Sequence, residues 1–140
     1  LDVRSSLALM KKYTAVDYVR AQTYRTRLIE TFDRVFREVD VVLTPGTGMV
    51  APEIPEAHLP EGSSDFGAMA KIMRFAFPSN LTGYPAISFP AGYTADNLPI
   101  GLQAMAGPWE EDKLLQLARI TEQLVARRAP ELFFDPLGDA

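Results

Sequence analysis

The chain has 140 residues, 47% hydrophobic and 23% charged, with a formal net charge of −4, one histidine and no cysteine. That length and apolar content suit one modest globular domain, and a negative balance with no compact basic cluster outside one helix argues against nucleic acid as a partner. Without cysteine there is no disulfide, thiolate metal site or cysteine nucleophile in the chain, and a lone His58 cannot build a histidine-rich metal centre, so no metal or other cofactor is expected.

The chain begins at Leu1 rather than Met, which favours a native polypeptide extending upstream over removal of an initiator or a trimmed chain. No apolar run of about 18 residues and no basic-then-apolar leader pattern is present, so this stretch is expected neither to span a membrane nor to direct export. From Thr14 to Val39 the residues Val16, Ala21, Tyr24, Leu28, Phe32, Val35, Phe36 and Val39 recur at steps of mostly three and four, which predicts a long helix with one buried face. Thr14 followed by Asp17 reads as a capping-box start. Arg20, Arg25, Arg27, Arg34 and Arg37, mixed with Glu30, Asp33 and Glu38, read as the solvated face of that helix.

Asp40 to Pro45 is a short, nearly continuous apolar run, predicted to be a buried strand of a parallel or mixed sheet. A helix feeding a strand of this kind points to an α/β fold. Pro45 to Ser64, with four prolines and three glycines, predicts a long excursion that is either a functional lid or a flexible segment. Asp65 to Phe77 reads as an apolar helix stopped by Pro78. Two strands follow, roughly Ala86 to Gly92 and Ile100 to Ala106, joined by a hairpin loop of more than two residues with Asp96 and Asn97 at its tip. The last helix, about Glu110 to Arg127, carries acidic residues in its first turn and Arg127 and Arg128 at its end, and Pro130 follows it. In the short tail, Phe133 and Phe134 are expected to pin onto the surface of a larger parent.

Catalytic constellations are scarce. His58 lies in the proline-rich loop without a paired carboxylate and reads as a surface histidine. Glu110 and Glu111 are better explained as charges at a helix N-terminus than as an acid and base pair. There is no G-x-S-x-G, P-loop or G-x-G-x-x-G motif.

The wording of several segments is more telling than any single residue. Asn80-Leu81-Thr82-Gly83-Tyr84-Pro85-Ala86-Ile87-Ser88-Phe89-Pro90-Ala91-Gly92, then Leu98-Pro99-Ile100-Gly101-Leu102-Gln103, resembles the C-terminal part of amidase signature enzymes. Asp17 to Gln22 with Arg25-Thr26-Arg27 resembles a late helix of that family, and Asp40 to Pro45 its following strand. The likeness runs in order from about Thr14 to Phe134. Thr47-Gly48-Met49 with Ala51-Pro52, Met73-Arg74-Phe75 and Gly107-Pro108-Trp109-Glu110 resemble the branch of plant-type fatty acid amide hydrolases. Two positions depart from the family's pattern: Gly46 stands where a threonine is expected, and Ala106 where many members have glycine.

The resemblance implies the C-terminal part of the amidase signature fold, one large mixed β-sheet covered by helices on both sides, with residues 1–140 forming an incomplete portion of a single domain. It implies hydrolysis of amides through a lysine, a bridging serine and a nucleophilic serine, and those positions lie upstream of this region. No catalytic residue is therefore assigned here. Ser63 and Ser64 lack the family's surrounding glycines and read as an N-cap for the next helix, and Lys71 reads as an exposed helical lysine. What carries over is a wall of the acyl-binding channel: Phe75, Phe77, Pro78 and Thr82, with Trp109 matching a pocket tryptophan of the animal branch. Glutamine-using members place an aspartate near where this chain has Met73, which argues against glutamine as the substrate.

The leading expectation is thus part of an amide hydrolase acting on fatty acid amides or N-acylethanolamines, inactive on its own. The implied partners are a lipid amide substrate and the remainder of the same amidase domain. A homodimer, a peripheral membrane contact through the rest of the protein, and an intracellular location are further expectations of the same reading. The competing class is a standalone noncatalytic α/β module that binds an apolar ligand or a partner chain, and a second chain supplying the serines is a further alternative.

Overall fold

The computed structural model describes residues 2–58, 60, 62, 65–126 and 128. A helix absent from the sequence expectations, α1 (Asp2–Met10), opens the chain and leads through a short turn into α2 (Ala15–Val35). Thr14 starts α2 as predicted: its hydroxyl accepts from the Asp17 N–H while the Asp17 carboxylate accepts from the Thr14 N–H at 2.9 Å, so both orphan donors are satisfied. The helix stops at Val35, earlier than predicted, and Phe36 to Glu38 form a turn. No residue of α2 is fully buried; Val16 and Tyr24 are exposed, and the predicted apolar face is covered only in its C-terminal half.

Three strands, β1 (Val41–Pro45), β2 (Ala86–Tyr93) and β3 (Pro99–Ala106), form a sheet in the order β1-β3-β2. Both pairings are antiparallel, with Val41 opposite Ala106 and Phe89 opposite Leu102. This corrects the expectation of a buried strand at Asp40 to Pro45: β1 has one neighbour among the described residues, to which it runs antiparallel, and its position at the edge leaves Leu43 about half exposed. The hairpin between β2 and β3 has the longer loop expected of it. Thr94 closes the loop by exchanging hydrogen bonds with Leu98 and Asn97, and Asn97 takes a left-handed conformation that asparagine tolerates. A bulge falls between Pro90 and Gly92 on the outer strand, where a missing N–H costs no ladder bond.

Because side chains alternate along a strand, β3 presents two faces. Ala104 and Ala106, completely buried, join Phe89 of β2 and Leu114 of α5 (Glu111–Leu124) in the core, with Val41, Ile87, Leu102 and Leu117 around them. Gln103, on the other face, reaches the backbone of Phe75. The small alanines let α5 lie close to one face of the sheet, and the turn before α4 meets the other face through Gln103.

The proline-rich excursion is tied down at its start. The Gly46 N–H donates to the Gly101 carbonyl and the Gly48 N–H to the Lys71 carbonyl. A Cβ at position 48 would fall 2.2 Å from the Lys71 oxygen, so only glycine permits this approach. Beyond it lies one 3-10 turn, Glu56–His58, with His58 exposed. Ser63 and Ser64 lie outside the described residues, and the N-cap of the following helix is Asp65, whose carboxylate accepts from the Ala68 N–H at 2.9 Å. Arg127, Pro130 and the Phe133-Phe134 tail also lie outside the described residues.

Candidate functional site

Pro78 does not end a helix as the sequence suggested. The run expected as one helix is divided into α3 (Phe66–Ile72), a 3-10 turn over Met73–Phe75, and α4 (Phe77–Thr82). Proline sits in the first turn of α4, where its missing N–H would have been unpaired in any case. Gly83 closes α4 in the left-handed conformation at φ +85°, donating to the Ser79 carbonyl, a geometry glycine takes without a Cβ penalty.

Four of the five residues singled out for a substrate wall are brought together on this stretch. Phe75 and Pro78 are half-buried, Phe77 is 58% exposed, and Thr82 is buried. The Thr82 hydroxyl donates back to the Pro78 carbonyl at 2.7 Å, so its polar end is occupied within its own helix. Trp109 stands elsewhere, on the turn between β3 and α5, with a left-handed backbone and a side chain 91% exposed. Phe66, Met69, Phe77 and Leu81 are exposed on α3 and α4; Asp65 caps the start of α3, Lys71 is exposed, and the Arg74 guanidinium lies over the Phe75 ring.

The stretch is held by side chains from distant elements. Arg25 of α2 donates through Nε to the Leu81 carbonyl at 2.7 Å and through Nη2 to the Thr82 carbonyl at 3.3 Å. Gln103 of β3 donates through Nε2 to the Phe75 carbonyl at 3.0 Å. Just beyond α4, buried Tyr84 packs edge-on against Phe32 and Phe36 and donates its hydroxyl to the Asp33 carboxylate. Burial and the adjacent Asp33 charge push the Tyr84 phenol up to about 12. Arg25 and Asp33 are therefore not simply solvated, as the charge pattern suggested. Both recur with the apolar period of α2, Arg25 four residues after Ala21 and Asp33 four after Ile29, and that placement was the available signal.

An open groove of about 1130 Å³ lies elsewhere, between the β2–β3 hairpin and the end of α5, lined by Phe89, Tyr93, Leu98, Ile100, Val125 and Arg128 among others. Arg128 borders it, lying 5.0 Å over the Tyr93 ring and donating to the Asn97 side chain at 2.7 Å. Among the described residues no group of three or more histidine, aspartate or glutamate side chains could hold a metal ion, and no helix is long and apolar enough to cross a membrane.

Comparison with known proteins matches the amidase family over residues 3–115. A fatty acid amide hydrolase of Medicago truncatula is 46% identical over 98% of this chain, and one of Arabidopsis thaliana is 44% identical over the same share. The chain spans about a quarter of the length of these relatives, 23% in each case. Among solved structures, the crystal structure of an amidase superposes on 89% of this chain and 29% of its own, at 27% identity and a TM-score of 0.74. The antiparallel sheet with α5 packed on it and the family-like segments thus agree with one another, and this α/β chain belongs to the amidase signature family.

Proposed function

We propose that residues 1–140 are the C-terminal portion of a single amidase domain whose intact form hydrolyses fatty acid amides or N-acylethanolamines. A serine–serine–lysine triad outside this chain attacks the amide carbonyl, expels the amine and leaves an acyl-enzyme that water hydrolyses, with backbone N–H groups stabilising the oxyanion. This chain contributes a wall for the acyl group and no nucleophile. Phe75, Phe77 and Pro78 form that wall, with Thr82 at its end and Trp109 at a separate point of the pocket.

The observation that carries this reading is the set of exposed apolar residues on α3 and α4, Phe66, Met69, Phe77 and Leu81, with no carboxylate between Phe66 and Thr82 and Met73 on the turn that joins the two helices. Such a surface suits an acyl chain, which gains about 0.8 kcal/mol per buried methylene, and offers no anion to hold the ammonium of an amino acid. The resemblance to relatives named as fatty acid amide hydrolases supports the same choice over the glutamine-using branch. The small described core also supports a larger parent domain, because much of the apolar surface of α1 and α2 is uncovered here.

The test is an assay of the intact polypeptide on acylethanolamides of increasing acyl length and on glutamine. The expected result is a kcat/KM that rises by up to roughly tenfold for each added pair of methylenes, with little activity on glutamine. Preference for glutamine, or no dependence on acyl length, would overturn the substrate assignment. A monomeric isolated chain that unfolds cooperatively would instead favour the noncatalytic module and defeat the reading of an incomplete domain.

A further inference from the structure

We infer that Arg25 and Gln103 are positioning residues that hold the two ends of the Phe75–Thr82 stretch in register and thereby set selectivity for the acyl group. The inference rests on the proposed role of that stretch as the acyl wall.

The stretch has little to hold it in place by itself. α4 has six residues, too few for a helix to persist through its own hydrogen bonds, and it starts where a 3-10 turn interrupts the regular ladder. Its exposed apolar residues, Phe77 and Leu81, are not anchored in the described core, whose central members are Phe89, Ala104, Ala106 and Leu114. Burial of Ser79 and Thr82 seats one side of α4, and two side chains from distant elements bond directly to the backbone at the ends of the stretch.

At the C-terminal end, Arg25 reaches across from α2 to the carbonyls of Leu81 and Thr82, which lie in the last turn of α4 and have no acceptor role within the helix. A guanidinium suits this place twice over: its fixed fork spans two adjacent oxygens, and its charge opposes the negative end of the helix dipole. At the N-terminal end, Gln103 projects from the central strand to the Phe75 carbonyl. The two anchors are far from the stretch in sequence, 56 residues for Arg25 and Leu81 and 28 for Gln103 and Phe75, so each ties it to a different part of the fold. All three bonds end on backbone oxygens and use none of the side chains of Phe75, Phe77 and Pro78, of which Phe77 is the most exposed. Displacing the stretch changes the shape of the wall without touching the reacting carbonyl, and its effect grows with the length of acyl chain that the wall contacts.

The experiment compares Arg25→Lys and Gln103→Met with the unchanged intact polypeptide on palmitoyl and butanoyl ethanolamides, with Phe75→Ala and Phe77→Ala in parallel. Lysine keeps the charge but cannot span both carbonyls, and methionine keeps the length of glutamine while removing its donor. The expected result in both positioning variants is a KM for the palmitoyl substrate raised about tenfold, with kcat for the butanoyl substrate within about twofold of the parent. Near-UV circular dichroism and the butanoyl kcat report folding, a readout that a general loss of structure would move and a displaced wall would not. Equal loss on both substrates, or no change on either, would overturn the inference. If instead Phe75→Ala and Phe77→Ala leave the palmitoyl-to-butanoyl ratio unchanged, the acyl-wall reading itself fails. A changed ratio in the phenylalanine variants with none in Arg25→Lys and Gln103→Met leaves the wall standing and removes its proposed anchors.

Discussion

The α5-and-sheet unit and the α1–α2 arm both carry amphipathic helices, α5 the more strongly so, and one is packed while the other is bare. In the first, Ala104 and Ala106 are completely buried and Leu114 of α5 fills the space above them. In the second, Leu7, Met10, Val16, Tyr18, Val19 and Tyr24 are exposed, and α2 contributes no fully buried residue. The difference teaches that an apolar stripe reports which face favours burial and says nothing of what covers it. Where α2 does engage the body, it does so at its C-terminal half, through Phe32 and Phe36 against Tyr84, the Asp33–Tyr84 hydrogen bond and the Arg25 fork.

That contrast can be tested by substitution, measured by denaturation and hydrogen exchange on the intact polypeptide. Leu114→Ala should have the largest effect, about 2–5 kcal/mol, because a buried leucine leaves a cavity the sheet cannot fill. Loss of less than about 1 kcal/mol would show that the sheet-and-helix core is not the packed region described.

Tyr84→Phe comes next. Removing the hydroxyl that Asp33 accepts should cost about 1 kcal/mol and loosen α2 from the body. The phenol's proton is held more tightly in the fold, at about 12 against an ordinary 10.0, so its stabilising contribution is complete below pH 10 and is lost as the pH rises through 12. The unchanged protein should therefore lose protection at the α2–Tyr84 junction across that window, and the phenylalanine variant should not share that dependence.

Thr14→Ala should remove the capping box at a cost near 1 kcal/mol or somewhat less, read as faster exchange in the first turn of α2. Hydrogen bonds from the Thr14 backbone and hydroxyl hold the Asp17 carboxyl below its ordinary value of 3.8. Its contribution is accordingly present above that value and lost as the pH falls through its lowered one, so the first turn should fray on acidification in the unchanged protein and show a weaker acid dependence in the variant. Asp40→Asn is expected to have the smallest effect. Asp40 is exposed, and the half-buried Lys113 ammonium, 3.0 Å from it, keeps a second partner in Glu110 at 2.7 Å, so no change in the unfolding midpoint should be measurable. A clear shift would show that surface charge contributes to docking α5 beside β1.

Particular elements explain how far the sequence could be read. The Thr14–Asp17 start, the two hairpin strands and α5 were legible because each depends on neighbours a few residues away. The family wording from Asn80 to Gln103 was legible for a different reason, as a pattern of residues shared with known enzymes. α1 carried no expectation of its own, and the Pro78 junction was misread because proline stops a helix in its interior yet opens one in its first turn. Phe75, Phe77, Pro78 and Thr82 share one stretch because they are close in sequence, while the exposure of Trp109 and the hydrogen bonds from Arg25 and Gln103 depend on how distant segments meet.

By itself, then, the sequence determined local matters: where caps and turns fall, which residues alternate along strands, and which family the wording resembles. Those follow from short-range hydrogen bonding, backbone sterics and hydrophobic period. Only the tertiary structure decided that β1 pairs antiparallel with β3, that Arg25 and Gln103 end on the backbone of one short stretch, and that half of α2 is uncovered. Strand direction, a long-range hydrogen bond and the cover on a helix face each require two parts of the chain to meet, and the periodicity of either part alone does not specify the other.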